Sequence, residues 1–213
     1  MRGRKPRSSG WALVWLVLVA ALVGCAGSRE SLTTSDVFDA PGSWGLSSDA
    51  AAHVSIADGQ FRIEVFEPDQ IAWGAAGFTL AESFRLTVEA TPLAGPLDNE
   101  YGVLLRMAGD TRFYAFSISG DGYVRAARYD QGTWTVLGSD WSPSEAIRQG
   151  METNTLEVEC RAGVYVLIVN GQPVLEVQDT ALSRGDLGLY AGTFGEGGLV
   201  VAFDNLVLSP LEE

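Results

Sequence analysis

From the first third of the chain onward, apolar and polar residues alternate at period two, in short runs separated by turn residues. Phe84, Leu86, Val88 and Ala90 fall on one side of an extended chain while Arg85, Thr87 and Glu89 fall on the other, the pattern of a strand with one face on a core. Tyr101, Val103, Leu105 and Met107 repeat it, and Tyr114, Phe116 and Ile118 follow after Gly109-Asp110. Ser119-Gly120-Asp121-Gly122 turns the chain into Tyr123–Tyr129, and Asp130-Gln131-Gly132 leads into Thr133–Leu137. Asn154–Arg161, Val164–Val169 and Val174–Val177 are joined at Ala162-Gly163 and Asn170-Gly171. Such dipeptides favour hairpins, because both central positions of a type I′ turn need positive φ; Asp121-Gly122 is expected to make one too. Leu187–Ala191 and Leu199–Leu208 close the series. With the weaker segments at Val37-Phe38, His53–Ile56, Gln60–Phe66 and Ile71–Gly74, about a dozen strands are expected, too many for one flat sheet. No stretch of a dozen residues carries a 3.6-residue stripe, so the chain reads as all-β with two packed antiparallel sheets. One helical turn is expected at Ser142–Ile147, where Ser142 would cap, Pro143 would open and Glu145 would stand three after the cap.

The N-terminus follows a different rule. Arg2, Arg4, Lys5 and Arg7 precede an apolar run of 13 residues, Trp11–Val23, which ends at Leu22-Val23-Gly24-Cys25. The run is shorter than the roughly 20 residues of a membrane span, which points to a cleaved export signal. The tetrapeptide resembles the lipobox of bacterial lipoproteins. That resemblance implies a diacylglycerol thioether on Cys25, cleavage before it and acylation of the new amine; an ordinary secretory site at Gly24-Cys25-Ala26 is the alternative. Ala26 in place of an aspartate implies, by the same analogy, the outer membrane in a cell that has one. The expected organisation is a signal peptide at 1–24, lipidated Cys25 with a Gly/Ser/Thr-rich tether to 35, and one sandwich domain at 36–210. The expected location is the extracytoplasmic cell envelope, lipid-anchored.

Charge and composition narrow the chemistry. Cleavage before Cys25 moves the formal charge from −13 to −17 and removes Lys5, the only lysine. A surface so acidic repels a phosphate backbone, which excludes nucleic acid as a partner. With Cys25 acylated, Cys160 is left alone and shares the apolar face of Leu156 and Val158, so it reads as a small core residue. His53 is the only histidine, so a multi-histidine zinc site is impossible; without a Gly-x-Ser-x-Gly elbow it reads as a surface or edge-strand residue. Glu157 and Glu159 share a strand face, the closest spacing to a glycosidase carboxylate pair, but on the solvent side, and no third acid follows in a Glu-x-Asp-x-x-Glu pattern.

The order of Asp36-Val37-Phe38-Asp39, Trp44, Tyr101–Arg106, Phe113–Ser119, Asp121-Gly122-Tyr123, Trp134–Leu137, Trp141–Ser144, Val169-Asn170-Gly171, Gly185–Leu189 and Phe203–Leu206 resembles concanavalin A-like jelly-roll domains. The similarity is to their laminin G-like and 3-keto-disaccharide hydrolase-like branch. It implies a jelly-roll sandwich and a function among glycan binding, glycoside hydrolysis and protein interaction. We expect non-catalytic binding of a glycan or another extracellular polymer. The resemblance also implies a structural calcium between first and last strands, with Asp36, Asp39 and Asp204 as oxygen ligands; no other cofactor is expected. A sugar ring stacks on an aromatic platform bordered by hydrogen-bonding side chains. Trp73, Trp134 and Trp141 are the expected platform residues, with Trp44 a further aromatic candidate. Arg85, Arg125 and Arg128 lie in central strands, and Arg106 is the expected arginine partner, because Gly102, Leu104 and Arg106 alternate away from Tyr101, Val103 and Leu105.

Overall fold

The computed structural model describes residues 33–211; Cys25, the signal peptide and most of the tether lie outside them. Sixteen strands run in chain order as β1 Thr34–Asp36, β2 Ser47–Ser48, β3 Ala52–Ala57, β4 Gln60–Val65, β5 Ile71–Thr79, β6 Phe84–Ala94, β7 Asn99–Met107 and β8 Arg112–Ile118, then β9 Tyr123–Asp130, β10 Thr133–Val136, β11 Ser142–Pro143, β12 Asn154–Arg161, β13 Val164–Val169, β14 Gln172–Gln178, β15 Asp186–Thr193 and β16 Leu199–Pro210. They form two antiparallel sheets. The first has the order β14-β13-β12-β6-β16-β4-β3-β2, with β1 beside β16; the second has the order β10-β9-β8-β7-β15-β5, with β11 beside β9. The sandwich starts at Thr34, so Thr34 and Ser35 belong to β1 rather than to the tether.

Local chemistry accounts for the tight hairpins. Asp58-Gly59, Gln131-Gly132, Ala162-Gly163 and Asn170-Gly171 all have positive φ at both positions, as type I′ loops require. Asp121-Gly122 departs from expectation. Only Gly122 is positive, at 99°, and Ser119 instead closes the turn by accepting the Tyr123 N–H on Oγ at 3.0 Å. The expected helix at Ser142–Ile147 is also absent. Ser142-Pro143 pairs with β9, and a turn follows in which Ser144 Oγ accepts the Ala146 N–H. Strand pairing thus overrides a capping signal too short to nucleate a helix alone. Among the described residues the only helical piece is a three-residue 3₁₀ turn at Gly109–Thr111.

The core lies between the sheets. Phe61, Ile63, Phe84, Leu86, Val88, Leu156, Val158, Tyr165, Leu167, Val201 and Phe203 face it from the first sheet, and Tyr101, Val103, Leu105, Tyr114, Phe116, Ile118 and Leu189 from the second. Phe61 packs against Phe38, Trp44 and Phe203 at centroid distances of 5.7, 4.7 and 6.4 Å. Burying each such ring contributes about 1.5–3 kcal/mol. Cys160 is fully buried and free, as its place in the alternation implies.

The two outward faces differ in kind. On the first sheet Arg85 pairs with Glu157 at 3.4 Å and with Glu159, and Asn205 donates to Glu89 at 2.8 Å. That is an ordinary solvated face, and it accounts for the Glu157–Glu159 spacing. The sandwich also has two distinguishable ends. Thr34 pairs with Leu208, and Pro210 pairs with Phe84, so the chain enters at the end that carries the β5–β6, β12–β13 and β14–β15 connections. The β6–β7, β8–β9 and β15–β16 connections lie at the far end.

Candidate ligand-binding face

The register of the second sheet places outward side chains in rows. Trp73, Tyr190, Gly102, Ser117 and Arg125 face one another across β5, β15, β7, β8 and β9. Phe113, Tyr129 and Trp134 form a second row across β8, β9 and β10. Gly102 is required there, because a Cβ would meet the Phe116 carbonyl oxygen at 2.1 Å. Leu104, Met107, Phe113, Ala115 and Tyr190 make a buried apolar cluster with Trp73, Ala75 and Tyr129 packed against it. An outward face in a sandwich is ordinarily polar. This one is paved with aromatic rings.

The rings contact one another. Phe113 lies 5.2 Å from Tyr129 and 5.7 Å from Trp134, Tyr129 lies 5.0 Å from Trp134, and Trp73 lies 6.4 Å from Phe113. Trp134 keeps 37% of its surface exposed. The Arg125 guanidinium sits 5.7 Å from the Trp134 ring and 5.6 Å from the Trp141 ring, two cation–π contacts of about 0.5–1 kcal/mol each at a partly exposed site. Asp140 holds its Nε at 3.1 Å. Beneath these rings Tyr190 donates to Glu100 at 3.3 Å. Burial pushes the Glu100 carboxyl above the usual range, opposed by the Arg125 charge and the Tyr190 hydrogen bond. Burial likewise raises Tyr190, which stays neutral and can donate.

At the far end this face runs into a cavity of about 320 Å³ lined by Asp98, Asn99, Ser119, Asp121, Tyr123, Trp141 and Phe194. Trp141 meets Phe194 edge to face at 6.0 Å. Asn99 Oδ1 accepts the Gly120 N–H at 3.0 Å, which ties the β8–β9 turn to the start of β7. Ser119 donates to Asp121 and orients that carboxylate. Two carboxylates, one amide and three aromatic rings thus converge on a volume suited to a small polar ligand.

The other expected site residues are distributed as follows. Trp73, Trp134 and Trp141 share this face, whereas Trp44 is core, its indole donating to Asp36 at 2.8 Å. Arg106 is not on the face. A register shift between Asp186 and Leu187 opposite β7 and a φ of 58° at Arg106 turn its side chain to the chain-entry end, where it donates to the Leu80 and Glu82 carbonyls at 3.1 and 2.7 Å. Arg125 occupies the role expected of Arg106. The three aspartates do not form a calcium group either. Asp36 spends Oδ1 on the Phe38 N–H and Oδ2 on Trp44, each at 2.8 Å, and Asp204 accepts the Asn205 N–H at 2.7 Å. Among the described residues no three His, Cys, Asp or Glu side chains are placed to hold a metal ion. His53 lies on β3, opposite Ser48 and Glu64.

No protein-family model and no curated protein matches the chain. Solved structures share its fold. The carbohydrate-binding module CBM66 from Bacillus subtilis superposes with a TM-score of 0.63 at 14% identity, covering 78% of this chain and 95% of that one. A Bacillus subtilis protein of unknown function with a galectin-like fold gives 0.63 at 12% identity, covering 83% and 94%. The GH43 BlXynB protein of Bacillus licheniformis gives 0.61 at 12%, and the 83% of this chain that aligns spans 39% of that one. The fold is therefore a jelly-roll, galectin-like sandwich.

Proposed function

We propose that the chain is a membrane-anchored, extracytoplasmic lipoprotein whose sandwich binds neutral glycans without cleaving them. The observation that carries this reading is the aromatic outward face of the second sheet, which leads into the cavity of Asp98, Asp121, Tyr123 and Trp141. Pyranose C–H faces stack on indole rings, and carboxylates accept sugar hydroxyl protons, so this combination recognises a polyhydroxylated ring. Uncompensated Asp98 and Asp121 disfavour anionic sugars there. That CBM66 is a carbohydrate-binding module on the same fold supports the ligand class. Glycoside cleavage uses two carboxyl groups flanking the scissile bond. Glu157 and Glu159, which share a strand face, are held by Arg85 on the opposite, solvated sheet, and Asp98 and Asp121 serve in this reading as hydrogen-bond acceptors for sugar hydroxyls.

Lipidation at Cys25 fits this geometry. Eight residues lie between Cys25 and Thr34, a reach of about 30 Å when extended. The chain enters the sandwich at the end opposite the cavity, so a tether from Cys25 would not have to cross the cavity mouth. A glycan array probed with the full chain in detergent tests the proposal. Saturable binding to a set of neutral glycans that Trp141→Ala abolishes is expected, and an array left blank at high protein concentration would sink the glycan reading.

A further inference from the structure

The chain-entry end holds a separate cavity of about 580 Å³, lined among others by Arg106, Arg184, Tyr165, Thr79, Thr180 and Ser183. We infer that this cavity is a second ligand site, for a hydroxylated organic acid of the uronic-acid class. Arg106 is 2% exposed, and among the described residues no carboxylate lies within ion-pair distance of it. A buried charge without a counter-charge is costly. Its partners are neutral: the carbonyls of Leu80 and Glu82, the Cys160 sulfur at 3.7 Å, the Tyr165 hydroxyl and the Phe84 ring at 5.0 Å. None of these partners carries a charge that would balance the guanidinium.

The fold is specifically built to put it there. Alternation along β7 would send Arg106 to the outward face, and the bulge opposite β15 reverses it. Gly185 makes the bulge possible, because a Cβ at that position would lie 2.2 Å from the Arg106 carbonyl carbon. Bulges of this kind re-aim side chains beside sites. Arg184, the adjacent residue, is exposed and lines the same cavity. The acids nearby do not neutralise the pair. Asp179 is committed to Arg128, to the Tyr114 hydroxyl at 2.6 Å and to the Ala181 N–H at 2.8 Å, which leaves Glu82 as the one uncommitted acid against two arginines. Glu82 and Asp179 line the cavity together with Arg106 and Arg184, and the pairing of Asp179 with Arg128 leaves one positive charge in excess there. A ligand carboxylate would supply the missing counter-charge, and the hydroxyls of Thr79, Thr180 and Ser183 match ring hydroxyls. Burial pushes the Tyr165 hydroxyl up to about 12, so it too stays a neutral donor.

Calorimetric titration of the full chain in detergent with D-glucuronate and D-galacturonate, each beside its neutral parent sugar, tests this. Saturable binding of at least one uronate is expected, weaker by about tenfold or more for the neutral parent, as follows from losing one charge-assisted contact. Arg184→Gln, an exposed change that leaves the melting temperature unaltered, should weaken the uronate by a similar factor. Trp141→Ala should leave it intact, which separates this site from the neutral-glycan site. Absence of uronate binding, equal affinity for the neutral sugar, an Arg184→Gln protein that binds like the parent, or displacement by equimolar acetate or phosphate would each overturn the inference.

Discussion

Trp134→Ala separates a binding surface from mere packing. Trp134 exposes 37% of its surface, about 90 Å² of the roughly 250 Å² that a tryptophan can bury. A pyranose seated on it removes that area from water, worth about 2 kcal/mol at ~25 cal/mol per Å², or a thirtyfold loss of affinity on truncation. The same change removes ring contacts to Tyr129 and Phe113 and the cation–π contact from Arg125. Those are worth about 2 kcal/mol of stability together, and for a domain of this size would lower the melting temperature by about 4–8 °C. Calorimetric titration with a glycan identified on the array, run well below the transition and paired with a thermal melt followed by circular dichroism, reads both quantities. A variant that melts lower yet binds within about twofold of the parent would refute the reasoning, since Trp134 would then serve only to cover Phe113 and Tyr129.

Further outcomes follow from the same geometry. Because burial raises the Glu100 carboxyl pKa, the folded state favours its protonated form, so the ionised group subtracts stability once pH rises through that raised value. Glu100→Gln should therefore melt higher than the parent at pH 7 and converge with it near pH 4, below the ordinary glutamate value of about 4.3; a variant less stable at pH 7 would contradict the buried-charge argument. Gly185→Ala should cost more than about 2 kcal/mol in urea unfolding, because its Cβ would strike the Arg106 backbone. Gly132→Ala, strained in φ at 92° but with nothing within 4 Å of its Cβ, should cost about 1 kcal/mol, and equal losses would remove the steric argument. Intact-mass analysis should find acyl chains on a chain beginning at Cys25, and Cys25→Ser should lose them; an unmodified N-terminus would refute lipidation.

The strands were legible because period-two alternation is a local signal, set by burial of one face. Most tight turns were legible for the same reason, since Gln131-Gly132, Ala162-Gly163 and Asn170-Gly171 carry their turn chemistry within two residues. Sheet order was not, because pairings such as β15 with β5 and β7 join segments about 80–120 residues apart. The site divides along the same line. Alternation gives Trp73 and Trp134 a face, but their convergence with Trp141 depends on which strands pair. Arg106 shows the limit most clearly, because its direction depends on a bulge opposite β15 and on the missing side chain of Gly185, neither of which alternation along β7 reveals. Arg125 had the signal in plain view: Tyr123, Arg125, Ala127 and Tyr129 alternate against Val124 and Ala126, and only the Arg125–Ser117 register was needed to place it.

The decisive measurement is a titration of the ¹⁵N-labelled chain with an array-identified neutral glycan, followed through the indole N–H resonances. The described residues hold four tryptophans, three on the aromatic face and one, Trp44, locked in the core by its bond to Asp36. Binding at the aromatic face predicts saturable shifts at Trp134 and Trp141, smaller ones at Trp73 and none at Trp44. Shifts absent from all four, or confined to backbone amides around Arg85, Glu157 and Glu159 on the opposite sheet, would contradict it.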